Sequence, residues 1–237
     1  MAVDAPAGHV LRFGATERGL HAIHGSAFAV MFATGLVLWV PALAQLFSSR
    51  PLMKAIHLTA AVAWLTALAL VAILGDRRAL RATRREIERL DADDLDWLRR
   101  RSSVPQGRFN AGQKLHAVAQ AALAVLFTVS GLLLWLGERD TDWRLPGTLA
   151  LHDVSMLVAG ALVAGHVWMA VSPRGLPAIG GIVRGTVTRA WAAEHHPKWV
   201  PDEAASTSRR RPGLVGLAAA VLTIAAGVAL LELLVFT

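Results

Sequence analysis

Five long apolar runs organise the chain: His21–Val40, Ile56–Leu74, His116–Leu136, His152–Val171 and Leu214–Phe236. Each has about 20 residues, enough for a helix to cross a ~30 Å hydrocarbon core. None contains lysine or arginine. The pattern predicts an all-α integral membrane protein, a four-helix bundle followed by a fifth, C-terminal transmembrane helix. Residues 1–200 would hold the bundle and its loops, 201–213 a linker with Ser206, Thr207, Ser208 and three arginines, and 214–237 the additional span. After the second run comes Asp76-Arg77-Arg78, then Arg84-Arg85-Glu86-Ile87-Glu88-Arg89-Leu90. This stretch predicts a surface helix continuing from the second span, with a solvated or partner-facing side. No repeat of fixed period is visible, although spans one and two loosely resemble spans three and four.

Composition agrees with the membrane reading. Apolar residues make up 54% of the 237 and charged residues 17%, against about 25% charged in soluble domains. Disorder is excluded by the same figures. Cysteine is absent. That removes disulfides, thiolate metal sites, cysteine-ligated iron–sulfur clusters and covalent haem attachment.

The net charge of +7 would suggest nucleic acid in a soluble protein. Here the basic residues sit between the apolar runs, so their partner is the bilayer and no nucleic acid is expected. Residues 1–20, 75–115 and 172–213 hold 2, 11 and 7 of them, whereas 41–55 and 137–151 hold 2 each. The positive-inside rule places the N-terminus and both rich loops in the cytoplasm, and with five spans the C-terminus outside. Trp39, Trp135 and Trp143 near outer span ends, and Trp168 near an inner end, predict an interfacial belt. Ala42-Leu43-Ala44 resembles a leader cleavage site, but the run before it is long for a leader and carries His21 and His24.

Those histidines are the candidate chemistry. The apolar runs hold His21, His24, His57, His116, His152 and His166, with Asp153 and Glu232. Ionisable groups within spans are costly and mark function. His57 and His152 begin their runs on the outer side. His21, or His24 one turn later, begins the first run on the inner side. His166 follows His152 by 14 residues, about four turns and ~21 Å along the same face. An outer pair (His57, His152) and an inner pair (His21 or His24, His166) would each join two helices across the bundle core. A b-type haem needs one imidazole on each side of its iron, so the pattern predicts two haem b stacked across the membrane. His116, near the inner end of span three, would hydrogen-bond a haem propionate or a ligand, or serve packing. Spacing alone leaves His21 and His24 both open. A haem-free scaffold or transporter using the histidines as proton relays is the alternative; paired broken helices, its usual mark, are not seen.

Several stretches resemble the cytochrome b (gamma) subunit of respiratory formate dehydrogenases, a family related to the cytochrome b subunits of thiosulfate reductases and nickel–iron hydrogenases. They cover most of residues 12–200. Arg12-Phe13 and Glu17-Arg18-Gly19-Leu20-His21 lead into span one, Thr34-Gly35-Leu36 lies inside it, and Ile56-His57-Leu58 opens span two. Gly107-Arg108-Phe109-Asn110-Ala111-Gly112-Gln113-Lys114 precedes span three. His152-Asp153 and His166 lie in span four, and Trp191-Ala192-Ala193-Glu194-His195-His196-Pro197-Lys198-Trp199 follows it. The resemblance implies axial ligation by His21, His57, His152 and His166, favouring His21 over His24. It also implies a quinone site at Asn110, Gly112, Gln113 and His166, with His116 nearby, taking menaquinone or ubiquinone. An iron–sulfur (beta) subunit and a molybdopterin or tungstopterin catalytic (alpha) subunit would be the partners, in a bacterial inner membrane. This chain would be the electron-transferring, quinone-reducing subunit, with no substrate catalysis of its own. A thiosulfate, polysulfide or hydrogen partner would suit almost the same cytochrome. The family pattern departs at Ala22, where a Trp is common, and at the fifth span.

Overall fold

The computed structural model describes residues 8–47, 49–99, 104–201 and 213–236. Five helices are long and apolar enough to cross a membrane: α1 Ala15–Trp39, α3 Arg50–Leu74, α6 Ala111–Arg139, α7 Thr148–Val171 and α10, whose Leu214–Leu231 is extended by a π-helical turn over Glu232–Phe236. Shorter helices are α2 Pro41–Phe47, α4 Arg77–Glu88, α5 Ala92–Leu98, α8 Leu176–Val183 and α9 Arg189–His195. Among the described residues the architecture is all-helical apart from one two-stranded ribbon, and the protein is an integral membrane protein. The linker expected over 201–213 falls almost wholly outside the described residues.

The first four spanning helices start four to six residues before their apolar runs. Hydropathy locates the stretch that avoids water, whereas caps decide where a helix starts. The Ser49 Oγ accepts from Leu52 N at 3.3 Å, and a proline sits in the first turn of α3. Asn110 and Gln113 form a reciprocal cap on α6: Gln113 N donates to Asn110 Oδ1 at 2.9 Å, and Asn110 N to Gln113 Oε1 at 3.1 Å.

The expected continuation of span two into the charged stretch does not occur. The second span, α3, ends before Gly75, which is extended, and the Asp76 carboxylate then caps a new helix by accepting from Arg78 N and Ala79 N. After Arg89 a carboxylate pair, Asp91 and Asp94, builds a capping box for α5. Asp at an N-cap outcompetes helix continuation because it satisfies amides that a new helix leaves open.

Two compact units result. The first comprises Met1–Arg18, Asp76–Ala124 and Ala161–Arg210. Its ribbon pairs β1 (His9–Leu11) antiparallel with β2 (Thr186–Thr188), with Val10 opposite Val187. Val10, Val187, Trp191 and Ala192 form its small core, with Ala178 and Trp199 against it. Gly185 has φ +93°, and its carbonyl accepts from Arg12 N and Phe13 N; only glycine holds this turn without strain.

The second unit comprises Gly19–Gly75, Val125–Gly160 and Arg211–Thr237. Here α10 packs along α3. The fit relies on a missing side chain, since a Cβ at Gly227 would overlap the Thr66 hydroxyl. Likewise Gly160 admits the Phe32 ring, whose Cε2 would lie 2.7 Å from a Cβ there. Trp135, expected in the interfacial belt, is buried: its indole donates to Leu234 O at 3.2 Å, and Arg139 lies 3.8 Å over its ring. The C-terminal turn covers it, which no pattern within span three could reveal.

Candidate functional site

In the second unit the structure brings His57 and His152 together, with ring centroids 6.4 Å apart. Each ring is held from behind in the same way. Thr34 on α1 lies one side: its Oγ1 is 2.8 Å from Val30 O and 2.9 Å from His57 Nδ1. Ser130 on α6 lies the other: its Oγ is 2.7 Å from Leu126 O and 2.8 Å from His152 Nδ1. A hydroxyl has one proton, and a carbonyl can only accept. The hydroxyls donate to the carbonyls, so each imidazole donates its Nδ1–H to a hydroxyl. This fixes the tautomer that leaves Nε2 as a lone-pair donor on both rings, and outer hydrogen bonds of this kind orient metal-ligating histidines.

The spacing matches two imidazoles sharing one metal. Nitrogens about 2 Å from an iron put the ring centroids about 6 Å apart. A glycine follows each hydroxyl residue and lies against the ring that residue holds. A Cβ at Gly35 would lie 3.6 Å from His57 Cε1 and 3.2 Å from Met156 Sδ, and one at Gly131 would lie 3.7 Å from His152 Cε1. The residues therefore fit a bis-histidine haem on an observed geometry.

Neither Thr34 nor Ser130 is marked as a ring-holding group by the pattern of its own span. The signal was present: Thr34-Gly35-Leu36-Val37-Leu38-Trp39 parallels Ser130-Gly131-Leu132-Leu133-Leu134-Trp135. The loose likeness between the two halves of the bundle is this duplicated histidine-backing motif.

Elsewhere in the same unit, His24 lies 5.7 Å from Trp64, ring to ring, and the buried Trp64 Nε1 has no hydrogen-bond partner among the described residues. His21 is exposed, three residues earlier on α1. His166 belongs to the first unit, where it stacks on His116 at 4.8 Å with 13° between the planes. The near-parallel stack joins α7 to α6, unlike the edge-on arrangement of His57 and His152. Gln120, one turn beyond His116 on α6, has a buried Nε2 with no partner among the described residues.

The residues around the expected quinone loop have structural partners. Asn110 and Gln113 cap α6 as described. Gly112 faces Trp97 of α5, whose Cη2 would be 3.0 Å from a Cβ at that position. Lys114 donates to Asp94 at 2.6 Å and to Arg89 O at 2.9 Å, closing α5 onto α6.

The most specific sequence stretches meet in this first unit. The Arg108 guanidinium bonds Glu17 at 3.0 Å, Glu86 at 2.9 Å, Thr83 Oγ1 at 2.6 Å and Arg12 O at 3.1 Å. Its charge lies over Phe13 and Phe109, and that of Arg12 over Trp191. His196 donates from Nδ1 to Gly107 O at 2.6 Å, and Arg12 approaches its Nε2 at 3.2 Å. Burial, and after it the Arg12 charge, lowers His196 to about 4, against the smaller upward pull of the Gly107 carbonyl. Burial, then Arg108, lowers Arg12 to about 10, which leaves it charged at neutral pH. The Arg-Phe, Gly-Arg-Phe-Asn and Glu-His-His-Pro-Lys-Trp stretches thus lock three chain segments together.

The sequence model of the family described as prokaryotic cytochrome b561 matches residues 12–178. Among curated proteins, the formate dehydrogenase cytochrome b556(fdo) subunit of Escherichia coli K12 is 24% identical over 214 residues, covering 85% of this chain and 96% of that one. The formate dehydrogenase cytochrome b556 subunit of Haemophilus influenzae is 35% identical over 105 residues, 42% of each. The nitrate-inducible cytochrome b556(Fdn) subunit of Escherichia coli K12 is 26% identical over 121 residues, 46% of this chain and 55% of that one. The match spans the four membrane-spanning helices that carry histidines, and the chain belongs to the prokaryotic cytochrome b561 family.

Proposed function

We propose that this protein is the membrane-anchoring cytochrome b subunit of a formate dehydrogenase-like complex. The observation that carries the reading is the His57–His152 pair, facing each other with both Nδ1 atoms committed to hydroxyls. Two b-type haems bound by the chain would carry single electrons from an iron–sulfur subunit, fed by a molybdopterin or tungstopterin catalytic subunit, to menaquinone or ubiquinone. His57 and His152 would hold the outer one. The sequence pairing of His166 with His21, or with His24, would supply the ligands of the inner one.

The chain's own residues do the rest. Thr34 and Ser130 keep each outer imidazole turned and raise its basicity. Apolar helices exclude water from the core. Asn110, Gly112, Gln113, His116 and His166 belong to the quinone end, and the orphaned Gln120 amide there supports a polar acceptor nearby. With the N-terminus, the 75–115 loop and the 172–213 segment cytoplasmic in a bacterial inner membrane, quinol would draw its protons from the cytoplasm. Formate oxidation on the opposite side would then separate charge.

Replacing His57 by leucine tests the reading. One haem per chain should disappear from the reduced-minus-oxidised spectrum, and quinone reduction by the complex should stop while formate-to-dye activity survives. Full retention of two haems in that variant overturns it.

A further inference from the structure

The electron-transfer reading leaves α4 and the groove at its end unused. Arg78, Arg81 and Arg85 recur at helical spacing, and Arg89 extends the row at the C-cap. They occupy the side opposite Leu80, Thr83 and Ile87, where Thr83 is tied to Glu17 and Arg108. All four are exposed, and none has an ion pair with a described residue. The carboxylates of α4 are engaged elsewhere, Glu86 by Arg108 at 2.9 Å and Glu88 by Arg84 at 3.4 Å. The row is therefore an uncompensated cationic stripe.

At its C-terminal end the stripe meets an apolar groove of about 310 Å³, lined by Ile87, Glu88, Leu90, Lys114, Leu115 and Val118. Leu90, Leu115 and Val118 are 43–49% exposed. The last two lie in the opening turns of α6, a spanning helix. Lys114 offers the groove little charge, since Asp94 and the Arg89 carbonyl hold its ammonium. The second of these bonds pins the Arg89 backbone at the groove's rim.

We propose that this groove binds an anionic glycerophospholipid. One acyl chain lies along Leu90, Leu115 and Val118, and the headgroup phosphate is bound by Arg85 and Arg89, with Arg78 and Arg81 strengthening the local field. Guanidinium groups pair with phosphate through parallel N–H bonds. The apolar slot favours a lipid over a soluble acidic partner, because it opens on a helix that enters the membrane beside the charges. The inference does not depend on haem or quinone.

Photolabelling tests it. The full chain is reconstituted into phosphatidylcholine nanodiscs containing a trace of phosphatidylglycerol with a diazirine in one acyl chain. The peptide holding Leu115 and Val118 should be labelled, and unlabelled phosphatidylglycerol, but not further phosphatidylcholine, should compete. Each arginine at an anionic surface contributes roughly fivefold in affinity, so the double variant Arg85→Gln/Arg89→Gln should lose at least about tenfold of the labelling. Glu88→Gln, which frees Arg84, should raise it. Should the double variant not fold, Leu115→Trp puts the same question by filling the groove, and labelling should then be lost. Equal labelling by a diazirine phosphatidylcholine, absence of label from this peptide, or wild-type labelling in the arginine or tryptophan variant overturns the proposal.

Discussion

At the scale of single residues, the chemistry depends on which imidazole nitrogen is left free. The hydroxyls of Thr34 and Ser130 settle this because each also donates to a carbonyl one turn back. Thr34→Val keeps the shape and removes the acceptor from His57 Nδ1. If His57 and His152 hold a haem as proposed, it should weaken haem retention there about 10- to 100-fold, while Thr34→Ser should restore it. Haem per chain after prolonged detergent washing, with the midpoint potential of the remaining haem, reads the effect. Unchanged retention in Thr34→Val would mean that the hydroxyl serves only the helix.

At the scale of elements, small residues decide where helices approach. The fifth span packs on α3 through Gly227 against Thr66, and its terminal turn receives the Trp135 indole. Gly227→Leu should push α10 away, since overpacking of a tight contact costs about 1–3 kcal/mol. Hydrogen exchange in residues 214–231 should rise, while exchange in β1 and β2 stays unchanged. Wild-type protection would show that α10 has an alternative way to pack. The hydropathy of α10 announced a span but could not name its neighbour. By contrast, the caps at Ser49, Asp76, Asp91 and Asn110 were readable as residue types. Their effect, a stop after α3 and early starts elsewhere, appears only when their hydrogen bonds are counted.

At the scale of the whole molecule, the first unit has a built-in pH dependence. An unfolded imidazole titrates near 6.5, but burial lowers His196 in the folded unit to about 4. Between those values the unfolded chain binds a proton that the folded unit refuses. Stability is therefore complete above about pH 6.5 and is lost as pH falls toward 4, by up to about 3 kcal/mol. Amide exchange in residues 9–13 and 186–199, corrected for intrinsic rates, should quicken between pH 7 and 5. His196→Gln should remove most of that change. A wild-type profile that is flat with pH contradicts the buried neutral histidine.

Sequence alone determined the number of spans, the charge asymmetry of the connections and the presence of membrane histidines. These depend on local composition, and a bilayer penalises every charge in a span without reference to the fold. The pairing of His57 with His152 was legible because helix period and depth are one-dimensional quantities. The tertiary structure decided what lies behind each ring, since Thr34 and Ser130 meet their histidines 23 and 22 residues away. It also decided that Asn110 and Gln113 cap a helix, that Gly112 makes room for Trp97, and that Arg108 gathers Glu17, Thr83 and Glu86 around one charge. Such contacts depend on which distant residues share a place, and periodicity along the chain carries no record of that.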